Sequence, residues 1–462
     1  MQKENNAINE IENMEIKPKF SVGQDFINNK LLYGVNFNEK SYILTSDREF
    51  IKIEEIEEKL GLIPKNNKAE LSKIKNETIK KYIYEDNTEV INPVDLFYLI
   101  KVNIEEYIYL EDERTYTVLA LWIMLTYLYT IFSYIPYIHL KGDKGVGKSS
   151  LLTLLKNTCF NAVMWSSMTE AVIFRYIDVS NATLLLDEAE DLKNPKNKGL
   201  NGILNAGFNK EGMVPRTKMA KNSEKVIQYS TFSMKALAGI NDIPNVLKDR
   251  CINIQMTKKP KSVKKNKYID TSKKIQDIND VIIQNLYLFA LSACKDIYNI
   301  YERFDVNMPE CLSSRDTDIY LPLFCIARYI DIQLEHNQIE NTLYSYAEDM
   351  SISRNQQDIE ENISYKLIID LYEMIIDKKV NAYRECYFLN EDIFGYLQFD
   401  NKYYFRSLTS LTNALNTLNI KHTRIEVNGK KGTYYIITKE QLEKLIDSYN
   451  ISIPKVTIKD EF

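Results

Sequence analysis

The sequence predicts an α/β protein: a parallel sheet with helices on both faces, preceded and followed by smaller modules. Three observations carry this expectation. An apolar run at residues 137–140 leads into a glycine-rich loop and then a helix with apolar periodicity. A second apolar run, residues 182–186, ends in Asp187-Glu188. A third, residues 232–240, follows about fifty residues later. Short, continuously apolar strands alternating with helical segments are the pattern of a parallel sheet buried on both faces.

The chain has 462 residues, which gives a soft prior of about three domains. Hydrophobic residues make up 45% and charged residues 27%, enough apolar side chain for several cores and against wholesale disorder. With 59 basic and 64 acidic residues the net charge is −5, which excludes a protein that coats nucleic acid through bulk charge. Any such binding has to come from local basic surfaces. The six cysteines are scattered and there are three histidines, so neither a structural zinc site nor a disulfide framework is expected. Residues 1–17 are polar and mixed in charge, unlike a signal peptide, and the expected location is the cytoplasm.

The N-terminal part reads as a small α+β domain over residues 1–110. Strand-like stretches at 30–35 and 41–53 precede a helix near 54–60, and no chemistry is legible in it. Residues 116–140 then carry no Asp, Glu, Lys or Arg over 25 positions, long enough for a membrane span of about 20 residues. Five tyrosines and Pro136 favour instead a buried helix at 118–132, a turn at 133–136 and a buried strand at 137–140, with no membrane contact.

After that strand and Lys141 comes Gly142-Asp143-Lys144-Gly145-Val146-Gly147-Lys148-Ser149, then Ser150 and a leucine-rich helix. This is the phosphate-loop pattern of Gly, four residues, Gly, Lys and Ser or Thr. Glycines let successive N–H groups face one anion, and the helix N-terminus adds its positive end. Residues 142–150 are therefore the candidate nucleotide cradle, with Lys148 reaching the β- and γ-phosphates of ATP and Ser149 ligating Mg²⁺. Asp187 stands 39 positions beyond Lys148, at the C-terminal end of its strand, where this fold class binds nucleotides. Asp187 is the second candidate Mg²⁺ ligand, held through water, and Glu188 orients or deprotonates the attacking water. Together these elements read as an NTPase.

Two further positions follow the third strand. Asn241 stands where the additional-strand ATPases place a polar residue against the γ-phosphate or water; it is equally placed as a turn residue before Pro244. Arg250 precedes another apolar strand. There it reads as an arginine finger reaching a neighbouring subunit's phosphate, worth ~10³–10⁵ in rate for known fingers, or as a surface ion pair with Asp249.

The run "ALAGINDIPNVLKDRCINIQM" at residues 236–256 resembles the AAA+ ATPase core of replication proteins carried by mobile genetic elements, those of cassette chromosomes included, which are relatives of the minichromosome-maintenance helicases. "TEAVIFRYID" at 169–178 and "SSRDTDIYLPLFCIARYID" at 313–331 extend the resemblance, which covers residues 115–331 well. It implies an AAA+ core over 111–274 and a helical lid over 275–360, with Arg315 as a second phosphate-sensing arginine. It also implies that the hairpin read between residues 212 and 229 points into a ring pore. Lys218, Lys221 and Lys225 would then touch single-stranded DNA; the alternative is a basic surface loop. An oligomeric ring, expected to be a hexamer, follows from the same likeness.

From residue 361 onward the pattern changes. Helices at 364–377, 390–397 and 408–418 precede two strands around Asn428-Gly429, a strong hairpin signal. Leu408, Leu411, Leu415 and Leu418 recur at helical spacing as the core face of the third helix. Three helices and a hairpin make a winged helix, a module that binds duplex DNA or another protein. Its candidate DNA contacts are Arg406, Arg424, Lys430 and Lys431. Eight lysines between 258 and 274, against Asp270, read as a solvated linker into the lid, with a DNA contact as the other reading. The function expected from the whole is an ATP-dependent DNA helicase or translocase in replication of a mobile element. The rival is a DNA-binding initiator or regulator that uses ATP as an assembly switch without processive unwinding.

Overall fold

The computed structural model describes residues 18–69, 71–85, 92–165, 169–220, 223–361, 363–377, 386–399, 405, 407–427, 429–449 and 451. The chain forms two compact units, Met1–Ala347 and Glu348–Phe462.

The first unit opens with an antiparallel sheet of β1 (Gln24–Ile27), β2 (Lys30–Phe37), β3 (Lys40–Thr45) and β4 (Phe50–Lys52), in that spatial order. The turns Asn28-Asn29 and Asn38-Glu39 hold both residues at positive φ, the geometry that matches strand twist in two-residue hairpins. The stretch 41–53, read from sequence as one strand, is two. The chain reverses at 46–49, where the Thr45 hydroxyl accepts the N–H groups of Asp47 (3.3 Å) and Glu49 (3.1 Å). This sheet is tied into the rest of the unit: Tyr33 donates to the carbonyl of Tyr127, and the rings of Tyr33, Tyr127, Phe160 and Tyr287 cluster at centroid distances of 5.1 to 5.9 Å.

Helices α1 (Pro93–Tyr107) and α2 (Arg114–Leu125) follow. Among the described residues no helix is long and apolar enough to cross a membrane. The uncharged stretch is broken as expected, but its helix starts at Arg114 and ends at Leu125, short of the predicted 132. Beyond Leu125, Tyr127 and Tyr129 both turn inward, to the carbonyls of Thr158 (3.0 Å) and Asn181 (3.4 Å). Continued helix would turn two residues two apart to different faces.

The core sheet consists of β5 (Tyr137–Lys141), β6 (Val163–Trp165), β7 (Leu184–Leu186), β10 (Lys235–Gly239) and β11 (Cys251–Gln255). Between them lie α3 (Lys148–Thr158), α4 (Glu170–Ser180), α5 (Lys198–Ala206) and the hairpin β8 (Met213–Ala220) and β9 (Ser223–Ser230). All five core strands are parallel, in the order β11-β5-β10-β7-β6. Strand β10 thus lies between the strand that feeds the glycine loop and the strand that ends in the acids. All five of its residues are buried, so both sheet faces are covered there. Helices α6 (Lys273–Arg303), α7 (Ser314–Leu334) and α8 (Gln338–Glu361) follow. The lysine run is largely exposed and irregular, as expected of a solvated linker, but it is anchored. Lys265 donates to the carbonyl of Glu105, and Asn266 (3.1 Å) and Lys274 (3.2 Å) reach the Glu106 carboxylate, which lays the segment against α1.

In the second unit, α9 (Ile363–Asp377), β12 (Cys386–Leu389), α10 (Asn390–Phe399), α11 (Leu408–Thr417), β13 (His422–Val427), β14 (Lys430–Ile437) and α12 (Lys439–Ser448) surround one apolar core. The three strands are antiparallel in the order β12-β14-β13. Strand β12 and helix α12 were not foreseen, and Leu408 is 38% exposed while Leu411, Leu415 and Leu418 are buried. Leu408 is the first residue of its helix and falls outside the core-facing stripe.

One residue of the first unit breaks the rules of burial. Lys235, fully buried at the start of β10, donates to the carbonyls of Thr231 (2.9 Å) and Ser233 (2.8 Å) and lies 4.6 Å over the Tyr137 ring. Burial pushes this ammonium well below the ordinary lysine range. The folded chain therefore binds fewer protons than the unfolded one between that lowered value and about 10.4, and stability rises with pH across that window. Lys235→Met keeps an unbranched stem and carries no proton. Calorimetric melting from about pH 7 to about 9.5 should show the wild type gaining on the variant as pH rises. A pH-independent difference would contradict this account.

Candidate functional site

Strand β5 ends against the glycine loop, and the loop's conformation explains its composition. Gly145 (φ 82°) and Gly147 (φ 104°) occupy the left-handed region, with Gly147 immediately before α3. Side chains there would clash with the following carbonyl. Gly142 passes so close to the end of β11 that a Cβ on it would lie 2.3 Å from the Met256 carbonyl oxygen.

Lys148 folds back and donates to the carbonyls of Gly142 (2.5 Å) and Asp143 (2.9 Å). The ammonium is thereby held at the mouth of the loop, on acceptors that an anionic oxygen outcompetes. The Ser149 hydroxyl donates to Asp187 Oδ2 at 3.0 Å, so two residues 38 positions apart, both expected at one metal ion, are in direct contact. Among the described residues no cluster of three or more His, Cys, Asp or Glu could hold a metal by itself. One hydroxyl and one carboxylate is the donor set that suits Mg²⁺ shared with phosphates and waters, an ion reluctant to lose its hydration. The pair fits Mg²⁺.

Asp187 Oδ1 accepts the N–H of Glu188 (3.2 Å), and Glu188 has φ 62° and ψ 43°, an uncommon left-handed conformation for glutamate. Its side chain is exposed. These residues, with Lys144, Ser150, Glu190, Gly239 and Ile240, line a cleft of about 520 Å³ at the C-terminal edge of the core sheet. Asn241 is exposed, one residue beyond the cleft wall formed by Gly239 and Ile240. Its neighbour Asp242 pairs with Lys141 (2.8 Å) and Lys248 (3.7 Å).

The two arginines meet, but elsewhere. The Arg250 carbonyl accepts the N–H of Tyr137 at 3.0 Å, beside the first residue of β5, whereas the glycine loop follows its last. By strand rise that is about 13 Å away. The guanidinium carbons of Arg250 and Arg315 stand 5.7 and 5.1 Å from the centroid of one buried ring, Phe208. Arg250 also donates to the Val246 carbonyl, and Arg315 pairs with Asp318 at 3.5 Å. Burial, and next the charge of Arg315, pull the Arg250 guanidinium below its ordinary value.

Hairpin β8–β9 is docked on α4. Arg216 reaches Glu170 at 3.4 Å and lies 5.0 Å over the Phe174 ring, and the Ser230 N–H donates to Asp178 at 3.0 Å. Lys218 and Lys225 are directly opposite in its register; Lys221 lies outside the described residues. In the second unit Arg424 is exposed on β13, Lys430 opens β14, and Lys431 pairs with Glu426 at 3.6 Å. Arg406 lies outside the described residues. Sequence reasoning missed Glu190, Gly239 and Phe208. Glu190 was visible as a third acid in the run after β7, while nothing in the sequence distinguishes Phe208.

No protein-family model matches the chain. No curated protein matches it either. Among solved structures, the chain is similar to the SCCmec type IV Cch active helicase, at 11% identity over 97% of this chain and 84% of that one, with a TM-score of 0.38. The apo form of the NrS-1 C-terminal region is 14% identical over 88% and 96% of the two chains, with a TM-score of 0.34. A JCV helicase structure shares 14% identity over 56% and 71%, with a TM-score of 0.25. Helicases are thus among this chain's structural neighbours.

Proposed function

We propose that the chain is an ATP-dependent DNA helicase or translocase of the AAA+ class, acting as a homo-oligomeric ring in replication of a mobile genetic element. The observation that carries the ATPase part is the Ser149–Asp187 contact beside Lys148, at the rim of one cleft. Bound MgATP would supply the phosphoanhydride that is cleaved and the metal charge that neutralises it. The loop N–H groups and Lys148 bind the phosphates, Ser149 and Asp187 hold the metal, and Glu188 orients water and takes its proton.

The ring is supported by the arginines. Arg250 stands at the sheet edge opposite this chain's own cleft, which supports a role on a neighbour's phosphate rather than on its own. Arg315, on the same ring of Phe208, belongs in this reading to the same shared site. The helical segment 275–360 then acts as a lid on the 111–274 core, and residues 1–110 form an attached N-terminal module. The 361–462 module serves as a winged helix on duplex DNA through Arg406, Arg424, Lys430 and Lys431. Hairpin residues Lys218, Lys221 and Lys225 contact a single strand in the pore. Such binding rests on phosphate charge and weakens steeply with salt.

Lys148→Ala should lower ATPase activity by at least ~10²-fold, the scale of losing one preorganised charge contact, with far-UV circular dichroism unchanged. On forked duplexes with opposite single-stranded tails, the wild type should displace one polarity of substrate and the variant neither. A wild type whose ATPase ignores single-stranded DNA and which separates no fork would favour the switch-type initiator instead.

A shared site makes a second prediction. Arg250→Ala and Lys148→Ala proteins, each inactive alone, should recover part of the ATPase activity when mixed. Mixed subunits then bring an intact cleft against an intact arginine. No recovery at any ratio would remove the trans assignment.

A further inference from the structure

We infer that Glu190 is a positioning residue: its carboxylate locks the projecting end of β10 to the acid turn, so that one peptide group, Gly239–Ile240, bridges the phosphate loop and the acids. The inference deepens the ATPase reading above and rests on it for its kinetic consequence. Its geometry does not depend on that reading.

Strand β10 pairs with β7 only as far as Leu237 opposite Leu186, and with β5 as far as Gly239 opposite Lys141. Its last residues therefore project past the acid strand with no ladder partner on that side. Two hydrogen bonds hold this end. The carbonyl of Gly239 accepts the N–H of Gly142, the first residue of the phosphate loop, at 3.3 Å. The N–H of Ile240 donates to Glu190 Oε2, also at 3.3 Å. Carbonyl and N–H belong to the same planar peptide unit and point in opposite directions, one to each functional loop. A charged acceptor on the N–H polarises the unit and strengthens the bond its carbonyl accepts.

The close approach explains Gly239. A Cβ there would lie 2.6 Å from Glu190 Oε2 and 3.4 Å from the Glu190 backbone nitrogen. The left-handed conformation of Glu188 turns the chain so that Glu190, two residues on, comes back over the strand end. The three acids therefore divide their work. Asp187 is engaged with Ser149, and Glu190 with the strand end. Among the described residues the Glu188 carboxylate makes no hydrogen bond or ion pair, which leaves it available to water.

A double-mutant cycle tests the clamp. In the wild-type background Gly239→Ala drives a methyl into the Glu190 carboxylate, and kcat for ATP should fall about tenfold or more. In the Glu190→Ala background the obstacle is gone, and the same change should cost less than about twofold, because contacting residues are non-additive. Glu190→Ala alone should lower kcat with little change in the KM for MgATP, and Glu190→Gln, which keeps a neutral acceptor, should restore most of it. The same four proteins are melted without nucleotide, where the same non-additivity is expected in Tm. If the wild type hydrolyses ATP and Gly239→Ala costs the same in both backgrounds, the clamp is wrong. If Tm is non-additive but no variant hydrolyses ATP, the clamp stands and the ATPase reading falls. Additive Tm values with no hydrolysis overturn both.

Discussion

The site depends on the burial of β10. A strand covered on both faces and hydrogen-bonded on both edges has almost no freedom to shift, since any slip exposes apolar surface and breaks two ladders at once. Because β10 runs between the glycine-loop strand and the acid strand, it fixes their spacing. Ser149 and Asp187 meet at 3.0 Å because the sheet order places their strands one strand apart, with both loops at the same edge. The end of the same strand forms a wall of the cleft, and its start carries Lys235, whose stem and amino group hold residues 231–233 at the root of hairpin β9. One buried strand therefore connects the cleft edge of the sheet to the base of the hairpin.

A second constraint is electrostatic. Two guanidinium groups share the ring of Phe208, and each has a partner that keeps the arrangement tolerable: the Val246 carbonyl for Arg250 and Asp318 for Arg315. Like charges in a partly desolvated place raise the free energy of the isolated chain. In the function proposed above, the phosphates of a neighbouring subunit's nucleotide would relieve that repulsion and gain two charge-assisted contacts together.

The net charge of −5 conceals strong segregation. Within the lysine run, Lys265 donates to the Glu105 carbonyl and Lys274 pairs with Glu106 of α1, and Lys431 pairs with Glu426 on the hairpin of the second unit. Were the chain to bind nucleic acid as proposed, part of this positive charge would already be engaged.

The order of residues by itself determined the glycine loop before α3, the acids after β7, the arginine before β11 and the helical segment that follows. Each is a local pattern whose chemistry demands particular residue types at fixed spacing. It also placed the three helices and hairpin of the second unit, because Asn-Gly turns and leucine spacing are local signals. Tertiary structure alone decided which distant residues meet. Glu190 on the Gly239–Ile240 peptide, Phe208 under two arginines, Lys235 buried over the Tyr137 ring and the lysine segment laid on α1 all depend on strand order and on packing between segments distant in sequence. The early end of α2 has the same origin. The carbonyls of Thr158 and Asn181, supplied by other elements, turn Tyr127 and Tyr129 inward. Local spacing specifies chemistry one motif at a time; only the packed sheet decides where those motifs converge.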